Sequence, residues 1–326
     1  MIISKTPIRI SLFGGGTDYP NYYKRNSGLT ISIAINKYSY IVINENKNKF
    51  NKNFIFSYRK KEIVSKISDI KHKSIKSCLK FFKIKNFLEI HYVSDIPAMT
   101  GLGSSSSFTV GLVKCLSKLK KSKKNNFDIA KDAIYIEQHL NNERVGCQDQ
   151  ISCAMGGISV IYYNKKNIVH KNFLINKNRL KRFTSNLLLF YTGKTRQANV
   201  VLKEQMKRNN LKKNDIHLKE IKKYTEKSIS ILKNNKKNLD KLGEYMDICW
   251  NLKKKLSNQV TNKTIDKYYK IAIKSGAIGG KIIGAGSGGF FLFYVPKNKQ
   301  KKVIKNLSSL KLIKFDIDYK GSQIIE

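Results

Sequence analysis

The chain has 326 residues, 41% of them hydrophobic, and it includes 17 tyrosines and 16 phenylalanines. This composition excludes a disordered or fibrous protein and gives room for one large domain or two ordinary ones. Lys and Arg number 64 against 22 Asp and Glu, so the net charge is +42. Such a charge is compatible with nucleic-acid or membrane-surface binding. However, the lysines are spread along the chain, which favours solvated faces that also attract polyanionic substrates.

The five cysteines are an odd number with no Cys-x-x-Cys pair. This pattern predicts buried free thiols in a reducing compartment rather than disulfides or a zinc site. The first residues lack the long apolar core of a signal peptide, and the longest apolar runs are too short to span a membrane. We therefore expect a cytoplasmic protein with no membrane contact.

The first half of the chain is rich in predicted strands. Residues 2–12 form a strand in which Pro7 favours an edge position, and a glycine turn follows at Gly14–Gly16. Residues 29–43 indicate one or two buried strands. Further strands are predicted at 54–58, 87–93 and 158–163, and helices at 67–82, 104–119 and 127–140.

The second half is mostly helical. Residues 197–275 contain one glycine and no proline, and their apolar spacing predicts three or four helices. Strands are predicted at 187–191, 290–295 and 312–317, with a helix at 297–307. A strand-rich half followed by a helix-rich half predicts two α+β domains that meet near residues 165–185.

A glycine- and serine-rich segment, DIPAMTGLGSSSS, occupies residues 95–107. It lies between a predicted strand and an apolar helix, an arrangement that directs backbone N–H groups and a helix dipole at an anion. The segment therefore predicts a phosphate-binding loop. It is not the loop of P-loop nucleotidases, because no lysine follows the glycines.

Two further glycine-rich stretches accompany this loop: PIRISLFGGGTD at residues 7–18 and KIIGAGSGG at residues 281–289. Any one of the three could be a simple turn. In their order and spacing, however, they resemble the three motifs of the GHMP kinases, the superfamily of galactokinase, homoserine kinase, mevalonate kinase and phosphomevalonate kinase.

Within that superfamily the sequence resembles the kinases of D-glycero-D-manno-heptose 7-phosphate most. The similarity lies in PIRISLFGGGTD, in the four serines after Gly-Leu-Gly, and in VGCQDQ at residues 145–150. Galactokinases carry Gly-Glu-His-Thr-Asp where this chain has Gly14-Gly-Gly-Thr-Asp18, which argues against galactose.

The resemblance implies an α+β, two-domain GHMP kinase fold. Residues 1–175 would form the N-terminal ATP-binding domain, of the ribosomal protein S5 domain 2-like type. Residues 176–326 would form a ferredoxin-like C-terminal domain.

The resemblance also implies ATP and Mg²⁺ as cofactors. Mg²⁺ would be held by Ser105 and Glu137, since a hydroxyl, a carboxylate, phosphate oxygens and water form a typical magnesium shell. A solvated helix position is the alternative for Glu137, and the neighbouring Gln138 leaves the register open. The residues implied to surround the ATP phosphates are Gly101, Leu102, Gly103, Ser104, Ser105 and Ser106.

Asp149 matches the catalytic aspartate of the family, and Arg9 matches the basic residue that pairs with it. Asp149 would accept the proton of the sugar hydroxyl or only position that hydroxyl, and Arg9 would offset charge on the transferring phosphoryl group. A helix-capping role for Asp149 and a structural salt bridge for Arg9 are the alternatives.

The sugar would be held by the glycine turn and by a loop in the second half of the chain. Asp18 could instead stabilise its own turn, and the third glycine-rich stretch could be a tight connection. Arg196, with Lys194, is the candidate for binding the 7-phosphate, with a plain surface loop as the alternative. The implied substrate-binding residues are Gly15, Gly16, Thr17, Asp18, Arg196, Gly284, Gly286 and Gly288.

The expected function is ATP-dependent phosphorylation of the anomeric hydroxyl of D-glycero-D-manno-heptose 7-phosphate to the 1,7-bisphosphate. This reaction would serve nucleotide-activated heptose synthesis for a surface polysaccharide. A fucose- or galactose-type kinase is the first alternative, and a basic nucleic-acid-binding protein the second. The expected partners are the sugar phosphate and ATP. The sequence leaves the oligomeric state open, a homodimer included.

Overall fold

The computed structural model of the protein describes residues 1–45, 52–193 and 198–326. Within these ranges the chain forms two β-sheets with helices packed against them. The strands are β1 (Ile2–Phe13), β2 (Gly28–Glu45), β3 (Phe54–Ser57), β4 (Lys61–Val64), β5 (Leu88–Ser94), β6 (Ile158–Tyr163), β7 (Ile168–Asn172), β8 (Leu187–Tyr191), β9 (Gly279–Ile282), β10 (Phe290–Tyr294), β11 (Lys311–Ile313) and β12 (Gln323–Ile324). The helices are α1 (Pro20–Asn26), α2 (Lys73–Phe81), α3 (Ser104–Leu119), α4 (Asn126–Tyr135), α5 (Gln148–Met155), α6 (Lys177–Ser185), α7 (Ala198–Asn210), α8 (Asp215–Lys233), α9 (Asp240–Lys254), α10 (Lys263–Ser275) and α11 (Lys297–Asn306).

The first sheet has the order β12-β1-β2-β5-β3-β4, and β6 and β7 continue it from β2. β2 is one strand of 18 residues, rich in Ile and Tyr as strands prefer. β1 has a second neighbour, β12, only at Ser4 and Lys5. Although β1 is not the edge strand of the sheet, Pro7 itself has a paired strand on one side only and lies next to a register shift, where a missing N–H is tolerated. Helices α2 to α5 cover one face, where Ile41 and Leu112 share a core.

The second sheet is antiparallel, with the order β11-β8-β10-β9. Its chain order of strand, helices, two strands, helix and strand gives the ferredoxin-like arrangement, which confirms the predicted α+β fold. Four helices, α7 to α10, lie between β8 and β9, as the spacing in residues 197–275 predicts.

The two domains share an apolar core. Ile8, Ile10 and Leu12 of β1 belong to the same buried cluster as Ile283 and Leu292 of the second domain. Because side chains alternate along a strand, the residues between them point to the opposite face, toward α5. This alternation directs Arg9 into the first domain, next to the helix that carries Asp149.

The chain returns to the first domain at its end. The backbone of Asp318 donates to the carbonyl of Ala34 and accepts from Gly157, and β12 pairs with β1. The predicted boundary, which assigns all of residues 176–326 to the second domain, is therefore corrected. The physical reason is that β1 presents unpaired backbone groups on its outer side, which the returning segment satisfies.

Arg179 supports the end of α8. Its side chain is 6% exposed and donates five hydrogen bonds to backbone carbonyls, including those of Ile231 and Leu232. We expect Arg179→Met to lower the free energy of unfolding by about 3 kcal/mol, because it leaves these carbonyls unpaired. Urea denaturation measures this change. Arg182→Met, on the exposed face of the same helix, is the control, and equal stability of the two variants would contradict the prediction.

Candidate active site

Arg9 connects three parts of the chain. Its Nε and Nη2 donate to Oδ1 and Oδ2 of Asp149 at 2.8 and 2.5 Å, and its Nη1 donates to the carbonyl of Gly101 at 2.8 Å. The Arg9 backbone N–H donates to the Leu102 carbonyl at 3.0 Å. Burial alone lowers the pKa of this guanidinium, but the Asp149 carboxylate more than offsets that effect and raises the pKa. The first motif thus contacts both the glycine-rich loop and α5 through one charged side chain.

Asp149 lies in the first turn of α5. Its side chain is 30% exposed, whereas that of Arg9 is 4% exposed. The ion pair is therefore buried on the arginine side and open on the aspartate side. This exposure leaves the Asp149 carboxylate accessible to a small molecule.

The glycine-rich loop ends at Gly103, which is the N-cap of α3 in a left-handed conformation. A Cβ at this position would lie 3.2 Å from Cγ of Arg9, so the loop packs directly on the arginine. α3 begins at Ser104, as predicted, and the unpaired N–H groups of its first turn are available to an anion. The side chain of Ser105 is exposed, and that of Ser106 is buried.

Glu137 is 1% exposed, so the alternative of a solvated helix position is wrong. Its Oε2 accepts hydrogen bonds from Ser106 Oγ at 3.0 Å and from Gln150 Nε2 at 2.5 Å. Burial raises the pKa of Glu137 to about 7, and the nearby Glu143 adds to the rise. Among the described residues, Oε1 of Glu137 accepts no hydrogen bond.

The structure shows which of Glu137 and Gln138 faces α3 and which serine of α3 contacts the carboxylate. Gln138 donates to the Val145 carbonyl at 2.9 Å, so Glu137 is the residue that faces α3. The hydroxyl that bonds directly to Glu137 is that of Ser106. The predicted link between Glu137 and Ser105 is a shared magnesium ion, and it stays a prediction. The direction in which each side chain leaves the helix axis determines which serine reaches Glu137, because adjacent residues of a helix point in different directions.

The glycine turn after β1 corrects the prediction for Thr17. Thr17 is fully buried, and its hydroxyl lies 2.8 Å from the Gly14 carbonyl and accepts from the Leu29 N–H at 3.0 Å. This hydroxyl therefore holds the turn against β2. It does not face a position from which it could bind a sugar.

Asp18 joins the same turn to α5. It is 6% exposed, and its two oxygens accept from the backbone N–H groups of Gly16 at 3.0 Å and Gln148 at 3.4 Å. Burial, and after it the charge of Asp149, raises the pKa of Asp18 to about 6. A Cβ on Gly146 would lie 1.8 Å from an Asp18 oxygen, so only glycine fits there. Asp18 therefore stabilises its own turn, which was the alternative to a sugar contact. Within this turn, Gly15 is partly exposed.

The third glycine-rich stretch packs on the glycine-rich loop before α3. A Cβ on Gly289 would lie 2.1 Å from the carbonyl oxygen of Thr100, and the Gly289 N–H donates to Thr192 Oγ1 at 3.1 Å. Gly286 approaches Val260 in the same way, with its Cβ position 2.4 Å from that carbonyl. Gly284, Gly286 and Gly288 have φ values of 74°, 119° and 149°, which favour glycine. Arg196 lies outside the described residues.

Three residues near the site have no role in the sequence prediction. Gln150 donates to Glu137, Gly146 makes room for Asp18, and Lys281 is 6% exposed at the domain boundary. All three lie inside or beside quoted motifs. Residue type alone does not separate them from turn or surface residues, so only their position near motif residues could have indicated a role.

A glycine-capped helix N-terminus, a buried carboxylate and an open aspartate lie close to Arg9, an arrangement that suits the binding of a phosphate group. The family comparison agrees. Residues 72–157 match the GHMP kinases N terminal domain, and residues 228–311 match the GHMP kinases C terminal domain. The chain belongs to the GHMP kinases, and this membership implies ATP as the phosphoryl donor.

Individual relatives include sugar kinases. The chain is 29% identical to D-glycero-alpha-D-manno-heptose 7-phosphate kinase of Campylobacter jejuni, over 94% of this chain and 93% of that protein. It is 24% identical to galactokinase of Pyrococcus furiosus, over 93% and 91% of the two chains. The structure of a D-glycero-D-manno-heptose 1-phosphate kinase from Bacteroides thetaiotaomicron superposes with a TM-score of 0.80 at 19% identity, covering 100% and 99% of the chains, which supports the fold.

Two expectations from composition can be compared with the structure. All five cysteines are buried free thiols, as predicted. In the parts of the chain that the structure describes, no helix has the length and apolar character needed to cross a membrane.

Gly289 provides a test of the contact between the two glycine-rich loops. We expect Gly289→Ala to weaken binding of a non-hydrolysable ATP analogue by about tenfold, because the added methyl group displaces Thr100 and the loop that follows it. Isothermal titration calorimetry measures the affinity. Gly193→Ala is the control, since Gly193 also has a positive φ, 72°, but no atom of the described residues lies within 4 Å of its Cβ position. Unchanged affinity of the Gly289 variant would contradict the prediction.

Proposed function

We propose that the protein transfers the γ-phosphoryl group of ATP to the anomeric hydroxyl of D-glycero-D-manno-heptose 7-phosphate, giving the 1,7-bisphosphate. The observation that carries the proposal is the bidentate Arg9–Asp149 pair, whose arginine also bonds to the Gly101 carbonyl. Arg9 thereby joins Asp149, which would accept a hydrogen bond from the sugar hydroxyl, to the glycine-rich loop, which would bind ATP. The similarity to the Campylobacter jejuni enzyme supports the choice of acceptor.

The chemistry assigned to this pair follows from its exposure and charge. Asp149 receives a hydrogen bond from the acceptor hydroxyl, orients the hydroxyl and takes up its proton. The hydroxyl oxygen bonds to the γ-phosphorus as the bond from that phosphorus to the bridging oxygen breaks, and ADP leaves. Arg9 remains charged and offsets the negative charge of the transferring group. Transfer is direct and in line, with no phosphoenzyme.

The nucleotide is assigned to the first turn of α3. Gly101 and Gly103 have φ values of 88° and 75°, so the backbone can approach phosphate oxygens closely. The same loop supplies the N–H groups of residues 104–106 and the serine hydroxyls. The ATP-binding assignment for residues 101–106 rests on this geometry and on family membership.

The residues around Glu137 fit a magnesium ion. Ser106 and Gln150 occupy its Oε2, and its Oε1 accepts no hydrogen bond from the described residues. The exposed hydroxyl of Ser105 lies one residue before Ser106 on the same turn. We propose that Glu137 Oε1 and Ser105 Oγ hold the ion, with Ser106 orienting the carboxylate; bound Mg²⁺ would neutralise phosphate charge.

The sugar is assigned to the space above the Gly14–Asp18 turn. Gly15 is partly exposed and leaves room where a side chain would otherwise stand, and Asp18 holds the turn against α5. Gly16 is buried, and a Cβ there would lie 3.0 Å from Leu218 Cδ2, so its backbone rather than added space would serve the sugar. Gly284, Gly286 and Gly288 would close the site from the second domain. Arg196 stays the predicted contact for the 7-phosphate. The product would enter nucleotide-activated heptose synthesis for a surface polysaccharide.

A substrate panel with coupled detection of ADP tests the choice of acceptor. We expect kcat/KM for D-glycero-D-manno-heptose 7-phosphate to exceed that for the unphosphorylated heptose, fucose and galactose by at least about 10²-fold, because a site built for a phosphate is left with unpaired groups when the phosphate is missing. Equal turnover of the heptose with and without its 7-phosphate would overturn the assignment. Preference for galactose would favour the function of the Pyrococcus relative.

Substitution of Asp149 tests the chemical role. We expect Asp149→Asn to lower kcat by about 10³-fold, because the amide cannot take up the hydroxyl proton. Affinity for the ATP analogue should fall by no more than about tenfold, since Arg9 loses its charged partner but keeps its hydrogen bond to the Gly101 carbonyl of the loop. Asp128→Asn, also in the first turn of a helix, is the matched control and should retain full activity. A nucleic-acid-binding protein without kinase activity would show no difference between the two variants.

A further inference from the structure

Lys281 is the one lysine that is buried among the described residues, with 6% of its surface exposed. It lies in β9, three residues before Gly284, and its Nζ donates to the Leu12 carbonyl at 2.9 Å. Leu12 belongs to β1, three residues after Arg9. This hydrogen bond therefore crosses the domain boundary and joins the start of the third glycine-rich loop to the strand that carries Arg9.

The position of Lys281 follows from its strand. Along β9 the side chains alternate, and Ile282 belongs to the core beneath α10, whereas Ile283 belongs to the core shared with β1. Lys281 has the same parity as Ile283 and so faces β1. Gly279 and Gly280 keep this strand close to its neighbours, since a Cβ on either would lie within 2.3 Å of another atom.

The electrostatic surroundings of Lys281 are unusual for a buried cation. The charged and titratable groups that face it are Arg9 from β1 and Cys249 from α9, and the hydrogen-bond acceptor is a carbonyl rather than a carboxylate. Burial lowers the pKa of Lys281 to about 8, Cys249 opposes this shift, and the positive charge of Arg9 adds to it.

A buried ammonium without an ionic partner is costly, and a methionine would fill the same space at no electrostatic cost. Asp149 neutralises the charge of Arg9, so the ammonium of Lys281, which interacts electrostatically with Arg9, adds one uncompensated positive charge beside this pair. An anion that enters between the domains is stabilised by this charge. Such a placement is typical of groups that act at a functional site.

We propose that Lys281 is a positioning residue of the phosphoryl-transfer site. It ties the Gly284–Gly289 loop to β1, and its charge favours the anionic transferring group near Arg9. The proposal rests on the proposed kinase function but does not depend on which sugar is the acceptor.

The pH dependence of kcat separates this role from a packing role. As pH rises through the pKa of Lys281, the ammonium loses its proton and the site loses one positive charge, so the wild type should lose activity above about pH 8. Lys281→Arg keeps its charge at all accessible pH values and should retain activity up to pH 9. Lys281→Met should lower kcat by about 10²-fold at pH 7 and should lack the alkaline decline.

Two controls exclude a general effect of losing a lysine and an effect of lower stability. Lys274→Met, on the exposed side of α10, should behave as the wild type does. The melting temperature of Lys281→Met should equal or exceed that of the wild type, because the substitution removes a buried charge. Wild-type kcat in Lys281→Met, or the same alkaline decline in all three proteins, would overturn the proposal.

The assay uses whichever sugar of the panel is turned over, so failure of heptose 7-phosphate as the acceptor leaves the test intact. If no sugar is turned over, hydrogen–deuterium exchange provides the second readout. Amides of residues 284–289 should exchange faster in Lys281→Met than in the wild type and in Lys281→Arg. Equal exchange in the three proteins would overturn the proposed tie between the loop and β1.

Discussion

The guanidinium of Arg9 is the interaction on which the site depends. Two of its nitrogens bond to Asp149 of α5, and the third bonds to Gly101 in the loop before α3. A buried guanidinium is tolerated only when its partners are in place, because loss of one leaves an uncompensated charge in the interior. β1, α3 and α5 are therefore stable together in one arrangement. The same arrangement brings the proposed donor and acceptor sites next to each other.

Much of the fold could be predicted from the sequence, because local patterns determine it. The start of α3 at Ser104 follows from glycine at the cap and apolar residues at helical spacing. The four helices between β8 and β9 follow from a long segment nearly free of glycine and proline. The ion pair between Arg9 and Asp149, in contrast, joins residues 140 positions apart. Spacing does not predict such a contact, and it was expected only from the resemblance to a family.

The site contacts that the sequence could not predict depend on the direction of individual side chains and on their burial. Four consecutive serines are chemically identical, and only the phase of α3 decides that Ser106 rather than Ser105 bonds to Glu137. The hydroxyl of Thr17 suits a sugar and a backbone carbonyl equally well, and the close approach of β2 selects the backbone. The return of the chain to β1 depends on two residues of pairing, too few to give a periodic signal.

That return has a consequence for the order in which the protein can fold during synthesis. β1 is made before the second domain and its neighbour β12 after it, and the backbone of Ile3 exchanges hydrogen bonds with residues 325 and 326. The growing chain therefore carries an open sheet edge while the whole second domain is translated, and open edges are sites of mispairing between chains. The first domain is completed only after the second has left the ribosome.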